Sequence, residues 1–390
     1  MAEDRRRRDT RIVDGGRRPE WRDQLVNVPV NRASTILFDT VAELNAASPP
    51  HLGKGSYGLQ GTATHWSLSE ALTQLEPGAA GTALVSTGLA SITVALTAVL
   101  SAGDDLLMVD SAYGPTRRYC DEILTRYGIT VRYYDPLATP DQLEALLKPA
   151  TKAIFLESPG SHTFEVQDVP GICAMARKRG ITTLIDNTWA TPLFFPAIEH
   201  GVDISIMACT KYVAGHSDLL LGSISANQEW FDRVQVTSFD LGHAVSPDDA
   251  FLASRGLRTL HLRMQRHQES ALAVAHWLAE RPEVGTVLHP ALVSCPGHQF
   301  WKRDFSGSSS LFAFSLKDRT GADADRFVDS LAEFGIGYSF GGFESLALPI
   351  RPKRSVGSKP PRALVRLHVG LEDVQDLIDD LDRALTALTQ

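Results

Sequence analysis

The sequence predicts an α/β protein with a mostly parallel central sheet flanked by helices and a smaller C-terminal α+β domain. Two observations carry this prediction. Between Thr82 and Lys211 short apolar, β-prone runs alternate with helical ones, the pattern of βαβ units feeding a parallel sheet. Beyond about residue 250 the alternation gives way to one long helical run followed by strand, helix, strand and helix.

Residues 1–60 carry little regular pattern, include Pro49-Pro50 and several glycines, and read as an extended arm. The first strand is Thr82 to Thr87, followed by a helix from Ala90 to Leu100. Asp105 to Asp110 reads as a strand and Arg117 to Tyr127 as a helix. Thr130 to Tyr134 and Ala153 to Glu157 are further strands, with a helix from Asp141 to Leu147 between them. Val169 to Arg179 is helical, and strands ending at Asp186 and Lys211 follow.

A long helix is expected from Asp249 to Arg281, then a strand from Ser310 to Leu316 and a helix near 322–334. The strand Ala363 to His368 precedes the last helix, Glu372 to Leu388. That helix sets Val374, Leu377, Ile378, Leu381, Leu385 and Leu388 on one face, a core-packing stripe. The expected organisation is an arm over 1–60, an α/β domain over 61–250 and an α+β domain over 251–390. This agrees with a prior of roughly 150 residues per domain.

Composition narrows the functional classes. Of 390 residues, 43% are hydrophobic and 22% charged, an ordinary globular balance. A formal net charge of −8 gives no surface for nucleic acid or anionic membrane. The basic stretch Arg351 to Arg362 reads as an exposed loop, because it stands alone in an acidic chain. No apolar run reaches the ~18 residues needed to cross a bilayer. The arginine run at 5–8 has no apolar segment after it and reads as a solvated tail, not an export signal. Cys120, Cys173, Cys209 and Cys295 lie far apart, which suits reduced thiols in the cytoplasm. The 12 histidines form no ligand-spaced cluster, so no metal site is expected.

One pair of residues points to chemistry. Lys211 ends the apolar run Ser205-Ile-Met-Ala-Cys-Thr and is followed by a Gly-His-Ser-Asp turn. Asp186 ends the run Thr182-Thr-Leu-Ile, 25 positions upstream. Ligands of parallel sheets sit beyond the carboxyl ends of the strands, where both side chains would lie. A lysine and an aspartate so placed suit pyridoxal 5'-phosphate (PLP). The amine would hold the cofactor aldehyde as a Schiff base, and the carboxylate would keep the ring nitrogen protonated. Ser86-Thr87-Gly88-Leu89 joins a strand to a helix, and the N–H groups of Gly88 and Leu89 could cradle a phosphate there.

Asp186-Asn-Thr-Trp189, Thr210-Lys211-Tyr-Val-Ala-Gly-His-Ser-Asp218 and Arg366-Leu-His-Val-Gly-Leu-Glu-Asp373 together resemble the Cys/Met-metabolism family of PLP enzymes, from about Asp9 to the C-terminus. Glu157-Ser-Pro-Gly-Ser161, Trp301-Lys-Arg-Asp-Phe305 and Tyr338-Ser-Phe-Gly-Gly-Phe-Glu-Ser345 are most similar to the bacterial branch that cleaves cystathionine at its β-carbon. The resemblance implies a fold-type I PLP enzyme producing homocysteine, pyruvate and ammonia for methionine biosynthesis. It also implies a cytoplasmic homo-oligomer, a dimer with shared sites that pairs into a tetramer. A different PLP reaction on a sulfur amino acid stays open, as does a non-catalytic PLP-fold regulator.

The resemblance also assigns roles. Lys211 is the cofactor lysine and proton-transfer base, Tyr113 stacks on the ring and helps proton traffic, and Thr210 adds a hydroxyl to the phosphate. Arg366 grips the substrate α-carboxylate, and Ser339 and Phe340 line the substrate pocket. Tyr57 reaches from one subunit into its neighbour's phosphate site. Three positions depart from relatives. Leu59 stands where many carry a phosphate-binding arginine, leaving Gln60 as a neutral substitute; Phe340 replaces a tryptophan; Ala208 replaces a serine. His216 and His368 belong to motif strings without a chemical role.

Overall fold

The structure, a computed structural model, describes residues 6–47 and 52–388. Pro49-Pro50 and Arg5 therefore lie outside the described residues. The arm is not featureless: Arg8–Asp14, Pro19–Arg22 and Val41–Ala46 are short helices, and a 3-10 turn spans Gly58–Gln60.

Seven strands form the main sheet: β1 (Gly81–Val85), β2 (Asp105–Val109), β3 (Thr130–Tyr134), β4 (Thr151–Glu157), β5 (Thr182–Asp186), β6 (Ile204–Met207) and β7 (Gly222–Ala226). Their order is β1-β7-β6-β5-β4-β2-β3. Every pairing is parallel except those of β7, which runs against both β1 and β6. Strands β2, β4 and β6 bury nearly every side chain, as a parallel sheet covered on both faces requires. The Gly-Ser-Ile-Ser-Ala run of β7 was not expected as a strand, because its small residues carry little β propensity.

The second sheet contains β8 (Val284–Leu288), β9 (Leu311–Leu316), β10 (Gly335–Ile336), β11 (Leu346–Ile350) and β12 (Leu364–His368), ordered β10-β11-β12-β9-β8. Its core packs Phe312, Phe314, Phe327, Leu377 and Leu381 together, which buries the apolar stripe of the last helix, Val374–Ala387. The Trp189 indole beyond β5 donates to the Leu311 carbonyl of β9 at 2.8 Å, tying the two sheets together.

The long helix expected from Asp249 is two helices, Pro247–Leu257 and Leu260–Ala279. Gly256 lies so close to the chain below that a Cβ there would sit 2.3 Å from the Ala214 carbonyl oxygen. The Arg263 guanidinium then binds the carbonyls of Gly256, Tyr212 and Val213, stitching the break to the segment after Lys211. The helix expected near 322–334 spans Gly321–Asp329. It stops where Asp380 takes the N–H groups of Ala332 and Glu333.

Candidate active site

Parallel strands deliver the candidate residues to one edge. Thr87-Gly88 follow β1, Asp110 to Tyr113 follow β2, Glu157 and Asp186 end β4 and β5, and Ala208 to Lys211 follow β6. Glu157 and Asp186 are direct neighbours in register. Both keep some solvent contact, yet burial pushes each carboxyl up. The Asp186 charge raises Glu157 further. Asp186 accepts the Thr188 N–H at 3.0 Å, and the Thr188 hydroxyl accepts the Ala208 N–H at 2.9 Å. The aspartate turn is thereby coupled to the lysine segment.

Lys211 Nζ donates to Ser339 Oγ at 2.5 Å and lies 4.8 Å from the centre of the Phe340 ring. Burial lowers its pKa to about 8, the Arg366 charge lowers it as well, and Asp186 pulls it back up. Arg366 sits on β12, between β9 and β11, not on a sheet edge. It is buried, and its Nη2 donates to the Ser339 carbonyl at 3.0 Å. Ser339 holds a left-handed backbone, φ 97°, rare for a residue with a side chain. Tyr113 donates its N–H to Glu157 at 2.7 Å, and burial raises its phenol, with Asp186 and Glu157 adding to the effect.

The phosphate candidates are close at hand. The Gly88–Val99 helix leaves its first N–H groups without intrahelical acceptors, those of Gly88 and Leu89 among them. A Cβ on Gly88 would lie 2.5 Å from the Ala208 Cβ, so this helix start is pressed onto the lysine segment. The Thr210 hydroxyl is already shared with Leu221, donating to its carbonyl at 3.2 Å and accepting its N–H at 2.9 Å. Tyr57 is not brought to Lys211 within one chain; it lies on the arm and is 52% exposed. Gln60 Oε1 takes the N–H groups of Ser56 and Tyr57, so that oxygen shapes the arm turn. Leu59 and Gln60 line a shallow cleft beneath the arm with Trp66 and Phe239, and none of the residues named around Lys211 lines it.

These groups fit PLP. A lysine amine with a lowered pKa, a helix start for a phosphate, and two recessed carboxyls that favour a cationic ring nitrogen match the cofactor's aldehyde, phosphate and pyridine. Among the described residues no His, Cys, Asp and Glu cluster could hold a metal ion. The four cysteines are buried and free, and burial raises each thiol. No helix among the described residues is long and apolar enough to cross a membrane.

The model of the Cys/Met metabolism PLP-dependent enzymes matches residues 9–386. This chain belongs to that family. Among its relatives, the Escherichia coli cystathionine beta-lyase MetC is 43% identical over 384 residues, covering 96% of this chain and 97% of that one. The Haemophilus influenzae cystathionine beta-lyase is 42% identical over 382 residues, covering 95% and 96%. The crystal structure of metB from Corynebacterium glutamicum superposes with a TM-score of 0.91 at 28% identity, covering all of both chains. Membership makes the chain a PLP-dependent enzyme with the fold the sequence predicted.

Several site residues were missed at the sequence level. Thr188 and Glu157 lie within the family-like motifs, where sequence alone gives them no role. Glu157 carried a readable signal, since it ends a buried strand as Asp186 does. Arg354 carried none. Its side chain is buried in an ion pair with Glu165 at 2.9 Å, and it donates to the Asp110 carbonyl at 2.7 Å.

Proposed function

We propose that this chain is a PLP-dependent carbon–sulfur lyase that cleaves L-cystathionine at its β-carbon, giving homocysteine, pyruvate and ammonia in methionine biosynthesis. The observation that carries the reading is the Lys211 amine, lowered to about 8 and held between Ser339, Phe340, Asp186 and Arg366.

Lys211 would anchor the cofactor, Asp186 would face its ring nitrogen, and Tyr113 would cover its ring. Gly88, Leu89 and Thr210 would hold its phosphate, with Tyr57 contributed by a second copy. Bound PLP supplies an electrophilic carbonyl carbon and an electron-accepting ring that makes the substrate Cα–H acidic. The rest belongs to the protein. Arg366 orients the substrate by its α-carboxylate through a planar fork, and Ser339 steadies that end of the site. Phe340 excludes water from the lysine. A pKa lowered to about 8 gives Lys211 a larger neutral fraction near neutral pH than an ordinary lysine has, and in that form Nζ takes the Cα proton and can return it to the departing sulfur.

The functional unit in this reading is a cytoplasmic homodimer with shared sites, pairing into a homotetramer. The exposed Tyr57 supports it, because a ring left half open to solvent in its own chain is free to serve a neighbour. Each subunit comprises an arm (1–60), a cofactor domain (61–250) and a C-terminal domain (251–390).

Product identification with PLP-loaded protein and L-cystathionine tests the proposal. Pyruvate with homocysteine is expected. 2-Oxobutyrate with cysteine would make the chain a γ-lyase, and no product would send the search to other amino acids that suit the Phe340 pocket.

A further inference from the structure

His368 is fully buried two residues beyond Arg366, and both of its ring nitrogens are engaged. Nδ1 lies 2.6 Å from Ser310 Oγ, which lies 2.6 Å from the Tyr212 hydroxyl. Nε2 lies 3.2 Å from the Gly342 carbonyl. The Gly341 N–H is 3.2 Å from Nε2 and 3.4 Å from Nδ1. The Gly341 N–H is thus shared between the two ring nitrogens. A proton arrangement that runs through the chain end to end has Tyr212 donating to Ser310, Ser310 donating to Nδ1, and the Nε2–H donating to Gly342.

The two ends of this chain are the two sides of the lysine pocket. Tyr212 follows Lys211 directly. Gly342 closes the loop that carries Ser339 and Phe340. The loop presses on the lysine: a Cβ on Gly341 would sit 2.8 Å from the Tyr212 nitrogen and 2.9 Å from the Lys211 carbonyl carbon. Ser339, in its left-handed conformation, needs outside support to stay there.

We propose that His368 is a positioning residue, which clamps the Ser339–Gly342 loop to the Lys211–Tyr212 segment and so sets the environment of the lysine amine. The proposal rests on the PLP lyase reading and deepens it. Burial keeps the imidazole neutral, and the neighbouring His267, Arg366 and Lys211 charges act in the same direction. Protonation would turn Nδ1 into a donor and take away the acceptor of the Ser310 hydroxyl proton. Around the lysine itself, the charged groups that set its proton affinity are Arg366 on β12 and Asp186 on β5.

The test measures the rate at which apoprotein takes up PLP, read by the visible absorbance of the lysine-linked cofactor across pH. Wild type should load with a midpoint near the Lys211 value of about 8. In His368→Ala the loosened loop admits water, and the midpoint should rise toward the ordinary lysine range. kcat should fall about tenfold, the size of one lost neutral hydrogen bond with its partner left unpaired. His368→Gln restores a donor toward Gly342 and should recover part of both. Ser310→Ala, which cuts only the Tyr212 arm, should give an intermediate shift and decides the matter if His368→Ala does not fold. A folded variant with unchanged midpoint and kcat overturns the positioning role. A wild type that forms no lysine-linked absorbance instead overturns the PLP reading on which it rests.

Discussion

Replacing Arg366 with lysine keeps the charge and removes the fork. The arginine is anchored on a strand paired on both sides, is buried, and spends one N–H group on the Ser339 carbonyl at 3.0 Å. Its remaining N–H groups can grip a carboxylate in two places. A single ammonium cannot hold the Ser339 carbonyl and also present a bidentate face. The variant therefore loses about one charge-assisted hydrogen bond, roughly 1.5–3 kcal/mol. At about 1.4 kcal/mol per decade, kcat/KM falls about ten- to a hundredfold. The carboxylate is bound equally in the ground and transition states, so the loss should appear mainly in KM. Steady-state kinetics with L-cystathionine measure it, with a thermal melt to confirm the fold. A folded Arg366→Lys protein with unchanged kcat/KM would refute the assignment.

Gly88→Ala introduces a Cβ 2.5 Å from that of Ala208, against an ordinary separation of about 3.5–4.0 Å. The helix start must move by about 1 Å, and a PLP titration should show a Kd raised by tenfold or more; an unaltered Kd contradicts a phosphate role for this turn. Glu157→Gln should stabilise the apoprotein at pH 8 and not at pH 5. Because folding raises the Glu157 pKa, stability declines as pH climbs above the unfolded carboxyl range, and an amide escapes that loss; melts showing no pH-dependent gain count against it. Leu59→Arg should tighten PLP binding about tenfold by adding one charge-assisted contact, and an unchanged Kd would mean that another cation already serves the phosphate.

What the sequence revealed follows from where each interaction partner lies. Lys211 and Asp186 were legible because an apolar run ending in a charge is a local signal, and parallel strands bring such ends together. The alternation that predicts the main sheet is also local. The reversed strand β7 escaped notice because Gly222-Ser-Ile-Ser-Ala226 becomes a strand only between β1 and β6. Arg354 looked like part of a solvated basic loop, since Glu165, its partner, is 189 residues away in sequence. His368 had no readable role for the same reason: Ser310 and Gly342 reach it only after the second sheet forms. The Asp249–Arg281 run read as one helix because its break depends on close contact with residues 213–214, which no helical periodicity records.

The central claim is that the Lys211 amine is the cofactor's anchor. Borohydride reduction of PLP-loaded protein fixes the linkage covalently, and peptide mass spectrometry then locates it. The account predicts the added mass on the peptide containing Lys211 and its absence from Lys211→Ala. A label on any other lysine, or none on a protein that turns over cystathionine, would contradict it.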